Sequence, residues 1–170
     1  MSSREPSAKM RLPILSLFAA LSASAVSAAG LPDASTCYER TYGARHLAAH
    51  PSQKVRRIAA SYSVFDGGVQ VHLDVWLRGN ATHYAMYADC TADGAGKLCK
   101  TDFADGGFWR VAATPKGGLL VTNGDVWVNP YASDSQQPLP EGRRLKAKPA
   151  DRNWALARLT SCPERAGESN

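Results

Sequence analysis

His46 and His50 stand four residues apart in a stretch with helical spacing, where two imidazoles can reach one metal ion. A zinc hydrolase would carry its glutamate base directly after the first histidine, and Leu47 stands there. Two ligands also leave a transition metal short of the three or four it takes. The pair is kept as a metal candidate beside the plainer reading of a surface helix with two histidines, and no cofactor is expected. His72 and His83 fall on neighbouring predicted strands, facing Tyr87 and Trp76 respectively. Both point to the polar side but sit two pairs apart, too far for shared ligation. Asp74 lies diagonal to His83, in position to orient it. No serine completes a triad, and G-x-S-x-G is absent. Cross-strand surface pairing is the plainer account of both histidines.

Other residues carry weaker chemistry. Asp102/Asp105 and Asp89/Asp93 lie beside glycine turns, where turn formation explains them without a glycosidase's paired carboxyls. Arg143, Arg144, Lys146, Lys148 and Arg152 form a basic cluster that could meet phosphate-bearing envelope polymers or lipid headgroups. No aromatic residue interleaves between Arg143 and Arg152, so a nucleic-acid stacking platform is not expected. The alternative is a solvated loop. Trp76, Trp109, Trp127 and Trp154 sit in four different predicted strands. They could line a barrel mouth around an apolar ligand, or serve as core and cross-strand pairs. Asn80-Ala81-Thr82 is a sequon only in a eukaryotic secretory route, and otherwise a turn.

These residues must be positioned by the elements around them. Cys37 to Pro51 reads as a helix, with Thr36 and Glu39 forming a capping box and Pro51 stopping it. From Val55 the period changes to two. Ile58, Ala60, Tyr62 and Val64 alternate with polar or small neighbours, then Asp66-Gly67-Gly68 turns the chain. Val69, Val71, Leu73, Val75 and Leu77 form the cleanest strand. A two-residue Gly79-Asn80 loop then sets Val75 opposite Tyr84, Leu73 opposite Met86 and Val71 opposite Ala88. A two-residue loop at Asp66-Gly67-Gly68 puts Ile58, Ala60, Tyr62 and Val64 on the same apolar side. Further strands are predicted at Lys97–Phe103, Phe108–Thr114, Leu119–Asn123, Asp125–Asn129 and Asn153–Thr160, with residues 130–152 as one long loop. About eight short strands at this spacing predict a mainly β fold: an antiparallel up-and-down barrel or roll, preceded by one short N-terminal helix. Several strands span only five to seven residues, and the chain ends in a polar tail at 164–170. Both features argue against an outer-membrane barrel.

The address is read from the first residues. Arg4, Lys9 and Arg11 precede an apolar run from Leu12 to Val26 and the small residues Ser27-Ala28-Ala29. This is the pattern of a secretory signal peptide over residues 1–28, too short for a membrane-spanning helix. Residues 29–36 are an extended lead-in and 37–163 a single β-rich domain. The first cysteine does not follow the apolar run directly, so lipidation is not expected. The whole chain carries +5, and cleavage after Ala28 removes a net +2. The remaining charge is mild, short of a nucleic-acid footprint. The expected product is periplasmic or secreted and soluble, with no stable membrane insertion.

Four cysteines in an exported chain predict disulfides, with three possible pairings. Cys90 and Cys99 flank a turn-rich segment and are expected to close one hairpin. Cys37 and Cys162 then tie the two ends. Eight residues between Cys90 and Cys99 fit paired zinc-finger spacings poorly.

Cys37-Tyr38-Glu39-Arg40-Thr41-Tyr42, with His46-Leu47-Ala48-Ala49-His50-Pro51-Ser52-Gln53-Lys54-Val55, resembles the N-terminal signature of small uncharacterised exported proteins of Gram-negative bacteria. Val75-Trp76-Leu77-Arg78-Gly79, Asp105-Gly106-Gly107-Phe108 and Asp151-Arg152-Asn153-Trp154-Ala155-Leu156 extend the likeness over most of the mature chain. The resemblance implies periplasmic location but no activity. Members often carry a cysteine before Asp-Gly-Gly. Phe103-Ala104 stands there, so that extra bridge is not implied. The residues point first to a non-enzymatic periplasmic barrel binding a small apolar ligand, an envelope polymer or a protein. Alternatives are a hydrolase using histidines and a structural envelope protein.

Overall fold

Apolar residues recurring at every second position are buried together when the strands wrap around one interior. The computed structural model shows that wrapping, and describes residues 36–65, 68–101, 106–131 and 141–162. The expected signal peptide, residues 29–35 of the lead-in, Asp66-Gly67, Asp102, Asp105 and the 164–170 tail lie outside the described residues. The elements are β1 (Cys37–Thr41), α1 (Ala44–Ala49), β2 (Val55–Phe65), β3 (Gly68–Leu77), β4 (His83–Asp93), β5 (Gly96–Lys100), β6 (Phe108–Ala113), β7 (Leu119–Gly124), β8 (Val126–Pro130), β9 (Arg143–Leu145) and β10 (Asn153–Arg158).

Strands β1 to β7 pair in sequence, each antiparallel to the next. β10 then enters between β7 and β1 and closes the ring. The result is a closed eight-stranded antiparallel barrel, an arrangement that leaves its wall without open edges. β8 and β9 stand outside that ring. β4 holds β5 along its later residues and β8 at Tyr84 and Ala85, and β8 carries β9.

The registers match the alternation. Val75 faces Tyr84, Leu73 faces Met86 and Val71 faces Ala88, while Ile58, Ala60, Tyr62 and Val64 face Val75, Leu73, Val71 and Val69. Apart from Val64, which is exposed at the barrel end, and the partly buried Val69, these inward residues form one core with Trp109, Trp154, Tyr38, Val111, Leu119 and Val121, the last six essentially without solvent contact. Each such side chain contributes roughly 1.5–3 kcal/mol by burial, an upper figure against an extended chain. Among the described residues no helix is long and apolar enough to cross a membrane.

Three expectations are corrected. Cys37–Thr41 is a strand, not the first half of a helix, and α1 covers only Ala44–Ala49. Pairing β1 with both β2 and β10 closes the barrel, and this outweighs the local capping pattern. Glu39 caps nothing and instead meets Arg57 at 2.7 Å. The helix therefore follows the first barrel strand and does not precede the barrel. The 130–152 stretch is not one loop, because it contains β9 and a 3-10 turn at Pro149–Asp151. The expected strand count of eight also arises differently. β1 stands in the ring where a helix is expected, and β8 lies outside it.

Both cysteine pairs are bridged as expected, Cys37 to Cys162 and Cys90 to Cys99. Cys90 and Cys99 are directly opposite in the β4–β5 hairpin. Cys37 opens β1 and Cys162 follows β10, so the Cys37–Cys162 bridge spans the closing seam.

Candidate anion-binding groove

At one end of the barrel, β3 finishes at Leu77 and the chain turns through Arg78-Gly79-Asn80. Gly79 takes a left-handed conformation, with φ at 69°. Asn80 fixes the turn: its Oδ1 accepts from the Thr82 amide at 2.8 Å, and its Nδ2 donates to the Tyr84 hydroxyl at 2.8 Å. The Arg78 amide donates to the Lys54 carbonyl at 2.7 Å, pinning the turn to the entry of β2. Across from this turn, β9 is set by its register on β8, with Val126 opposite Leu145, Trp127 opposite Arg144 and Val128 opposite Arg143. Leu145 is buried, and its carbonyl accepts from Asn123 Nδ2 at 3.0 Å.

Between the turn and β9 lies a groove of about 450 Å³ lined by Lys54, Leu77, Arg78, Gly79, Asn80, Arg143, Arg144 and Leu145. Four of the lining residues are cationic, and among the described residues none is a carboxylate. Two guanidinium groups are held: Arg78 Nη1 donates to the Leu47 carbonyl at 3.0 Å, and Arg143 Nε donates to the Tyr84 hydroxyl at 3.1 Å. Their other N–H groups keep the fork that matches a carboxylate or phosphate. The nearby Asp151 carboxylate is buried and engaged by backbone, accepting from the Lys54 amide at 2.7 Å and the Val55 amide at 3.1 Å. Four like charges around a concave surface raise the local concentration of anions.

Of the expected polyanion cluster, Arg143 and Arg144 reach this groove, while Lys146, Lys148 and Arg152 do not line it. Lys54 and Arg78 were missed by sequence reasoning. The hairpin register already placed Arg78 in a turn, but no local signal brings residue 54 beside residue 143. The four tryptophans do not line one mouth. Trp109 and Trp154 are fully buried packing residues, Trp127 is 40% exposed on β8, and Trp76 lies on the outer face of β3.

That outer face holds a second constellation. His83 Nε2 donates to Asp74 Oδ1 at 2.7 Å, so Asp74 does orient His83. His72 Nε2 is 3.3 Å from the same oxygen, at ion-pair distance but without hydrogen-bond geometry. The two histidines therefore share a carboxylate despite being two pairs apart, an arrangement the distance between them did not reveal. Burial is the largest influence on the Asp74 carboxyl and pushes it up. The nitrogens of His72 and His83 outweigh that and hold it well below the usual carboxylate range. His83 is stacked on Trp76 at 4.5 Å, and the Arg57 guanidinium lies 4.2 Å over Trp76. His72 is stacked on Tyr87 at 4.1 Å.

His46 lies in α1 and His50 caps its C-terminal end, and their rings meet 4.4 Å apart. His46 Nε2 donates to Gln53 Oε1 at 3.0 Å, and Tyr42 stacks on its ring. Among the described residues no group of three or more His, Cys, Asp or Glu is disposed to hold a metal ion.

The fold and groove together define a closed antiparallel barrel with a cationic groove at one end. Comparison of the chain with protein-family models, curated proteins and solved structures finds no match.

Proposed function

We propose that the chain is an exported, non-enzymatic binding protein whose groove receives an anionic polymer of the cell envelope. The observation that carries this reading is the set of four cationic residues, Lys54, Arg78, Arg143 and Arg144, around one concavity with no lining carboxylate among the described residues. The basic n-region, apolar run and small-residue site over residues 1–28 support export. Two disulfides fit an oxidising compartment. The periplasm is the compartment implied by the resemblance to exported Gram-negative proteins. A pocket of this size fits one or two repeat units of a polymer, with the rest running over the rim.

The test is titration of the oxidised chain with polyphosphate and with polygalacturonate at low salt. The expected result is binding that weakens steeply with ionic strength. Replacing Arg143 and Arg144 together by Glu is expected to weaken it at least about tenfold, since two attractions become repulsions. Unchanged binding by that variant would remove the groove from the function.

A second reading is a hydrolase built on Asp74 and His83, favoured by their 2.7 Å hydrogen bond. A carboxylate in that place orients an imidazole and stabilises its charged form. It predicts ester or phosphodiester hydrolysis that His83→Ala abolishes. Activity that survives His83→Ala sinks it.

A further inference from the structure

β9 turns its residues alternately to two faces. Arg143 stands opposite Val128, and Leu145 opposite Val126. Val126, Val128 and Leu145 are buried, so Arg143 leaves the strand on the inner face of the β8–β9 pair. Arg144 stands opposite the exposed Trp127, and its side chain leaves on the outer face. Both arginines line the groove, but they enter it differently. Arg143 is tethered at Tyr84, a side chain that is itself fully buried. The Tyr84 hydroxyl accepts from Arg143 Nε at 3.1 Å and from Asn80 Nδ2 at 2.8 Å. One oxygen therefore joins β9 to the Arg78-Gly79-Asn80 turn, the two walls of the groove. A guanidinium carries its five N–H donors in a planar fork. With Nε engaged, the edge left to a ligand is the one formed by Nη1 and Nη2, which presents two parallel N–H groups.

We propose that Arg143 is the member of the basic pair that grips the polymer. Its Nη1–Nη2 edge takes two oxygens of one oxyanion group, and Tyr84 and Asn80 are the positioning residues that aim it. The inference rests on the groove being the binding site. A guanidinium already tethered through Nε has less freedom to lose when it takes a ligand. Lysine in the same place supplies the charge as a point, without the fork. Arg144, on the other face of the strand, adds its charge to the field around the groove without gripping the ligand. Phosphate and carboxylate groups both present such a pair of oxygens, and two probe polymers separate them.

The experiment is calorimetric titration of the oxidised chain, at low salt, with polyphosphate and with polygalacturonate. Arg143→Lys keeps the charge and loses the fork. It is expected to weaken binding of whichever polymer the wild-type chain takes about tenfold, with the salt dependence of the affinity unchanged. Arg144→Lys is expected to stay within about twofold of wild type. Tyr84→Phe is expected to weaken binding about fivefold by itself and to add no further loss to Arg143→Lys, because it acts through that side chain. Thermal unfolding of each variant checks that the chain is folded. The two lysine variants, at exposed positions, carry the test if Tyr84→Phe does not fold. Wild-type affinity in Arg143→Lys, or an equal loss in Arg144→Lys, overturns the assignment and leaves the groove standing. A Tyr84→Phe loss that is undiminished in the Arg143→Lys background overturns the positioning role. A wild-type chain that takes neither polymer, or undiminished binding by the Arg143→Glu, Arg144→Glu double variant, overturns the groove and this inference with it.

Discussion

Asp74 concentrates the electrostatics of the outer face, because one oxygen faces His83 at 2.7 Å and His72 at 3.3 Å. His72 is almost wholly buried beside it, so the carboxylate is the polar group both rings meet. Its carboxyl is held low in the folded state, which fixes the sign of its pH dependence. A depressed folded pKa contributes stability that is full above the unfolded value of about 4 and is lost as pH falls through the folded one. Asp74→Asn removes the charge while keeping the shape. It is expected to cost about 2 kcal/mol at pH 7, the order of a hydrogen bond to an ionised group. The gap between wild type and variant should hold down to about pH 4 and close on further acidification. Urea unfolding of both proteins at pH 7, 5 and 3 measures it. Equal stabilities at pH 7 would show that the Asp74 contacts to the two histidines do not stabilise the fold.

At the scale of elements, Asp151 joins parts of the chain that no local pattern connects. It ends the 3-10 turn before β10, yet its carboxylate accepts from the Lys54 and Val55 amides at the entry of β2. Its own carbonyl, with that of Leu145, accepts from Asn123 Nδ2 on β7. The entry of β2, the end of β7 and the β9–β10 connection are thereby tied at one corner. The same corner places Lys54 and Leu145 on the groove wall. Asp151→Ala leaves two amides without their acceptor, one of them wholly buried at Val55. The expected cost is about 2–4 kcal/mol, with weaker polyanion binding as the wall loosens. Chemical denaturation gives the first effect and titration the second. A full loss of stability with unchanged binding would separate the corner from the groove. The meander itself was legible in the sequence, because one register sets the alternating apolar residues of β2, β3 and β4 on a single side, and Ile58, Ala60, Tyr62, Val71, Leu73, Val75, Tyr84, Met86 and Ala88 are buried there. β1 was not legible, because five residues with one buried tyrosine fit a helical period as well as an alternating one. Their strand conformation is imposed by two neighbours distant in sequence. The groove was half legible for the same reason. Arg143 and Arg144 are a local cluster, whereas Lys54 and Arg78 join them only through the tertiary fold.

For the whole molecule, the decisive step is closure of the ring between its first strand and its last. The β1–β10 seam is in register only through Tyr38 with Arg158 and Glu39 with Ala157, extended by the Leu159 amide donating to the Cys37 carbonyl at 2.8 Å. By contrast β2 and β3 stay paired from Val55 and Leu77 to Phe65 and Gly68. A short seam formed by residues far apart in sequence has little local help in forming, and the Cys37–Cys162 bridge lies at its end. That bridge links positions 125 apart, whereas Cys90–Cys99 links positions 9 apart. Chain entropy assigns roughly 5 kcal/mol to the first and roughly 2.7 kcal/mol to the second. The β4–β5 hairpin also retains its turn and its ladder without its bridge, and the seam has no comparable substitute. Replacing Cys37 and Cys162 by Ser is therefore expected to lower the unfolding midpoint more than the same change at Cys90 and Cys99. It should also raise amide exchange in β1 and β10 ahead of β2 and β3. Thermal unfolding of both double variants, with hydrogen exchange on the first, measures these effects. A larger loss from the Cys90–Cys99 pair would mean that the barrel closes through its wall strands and that the seam follows passively.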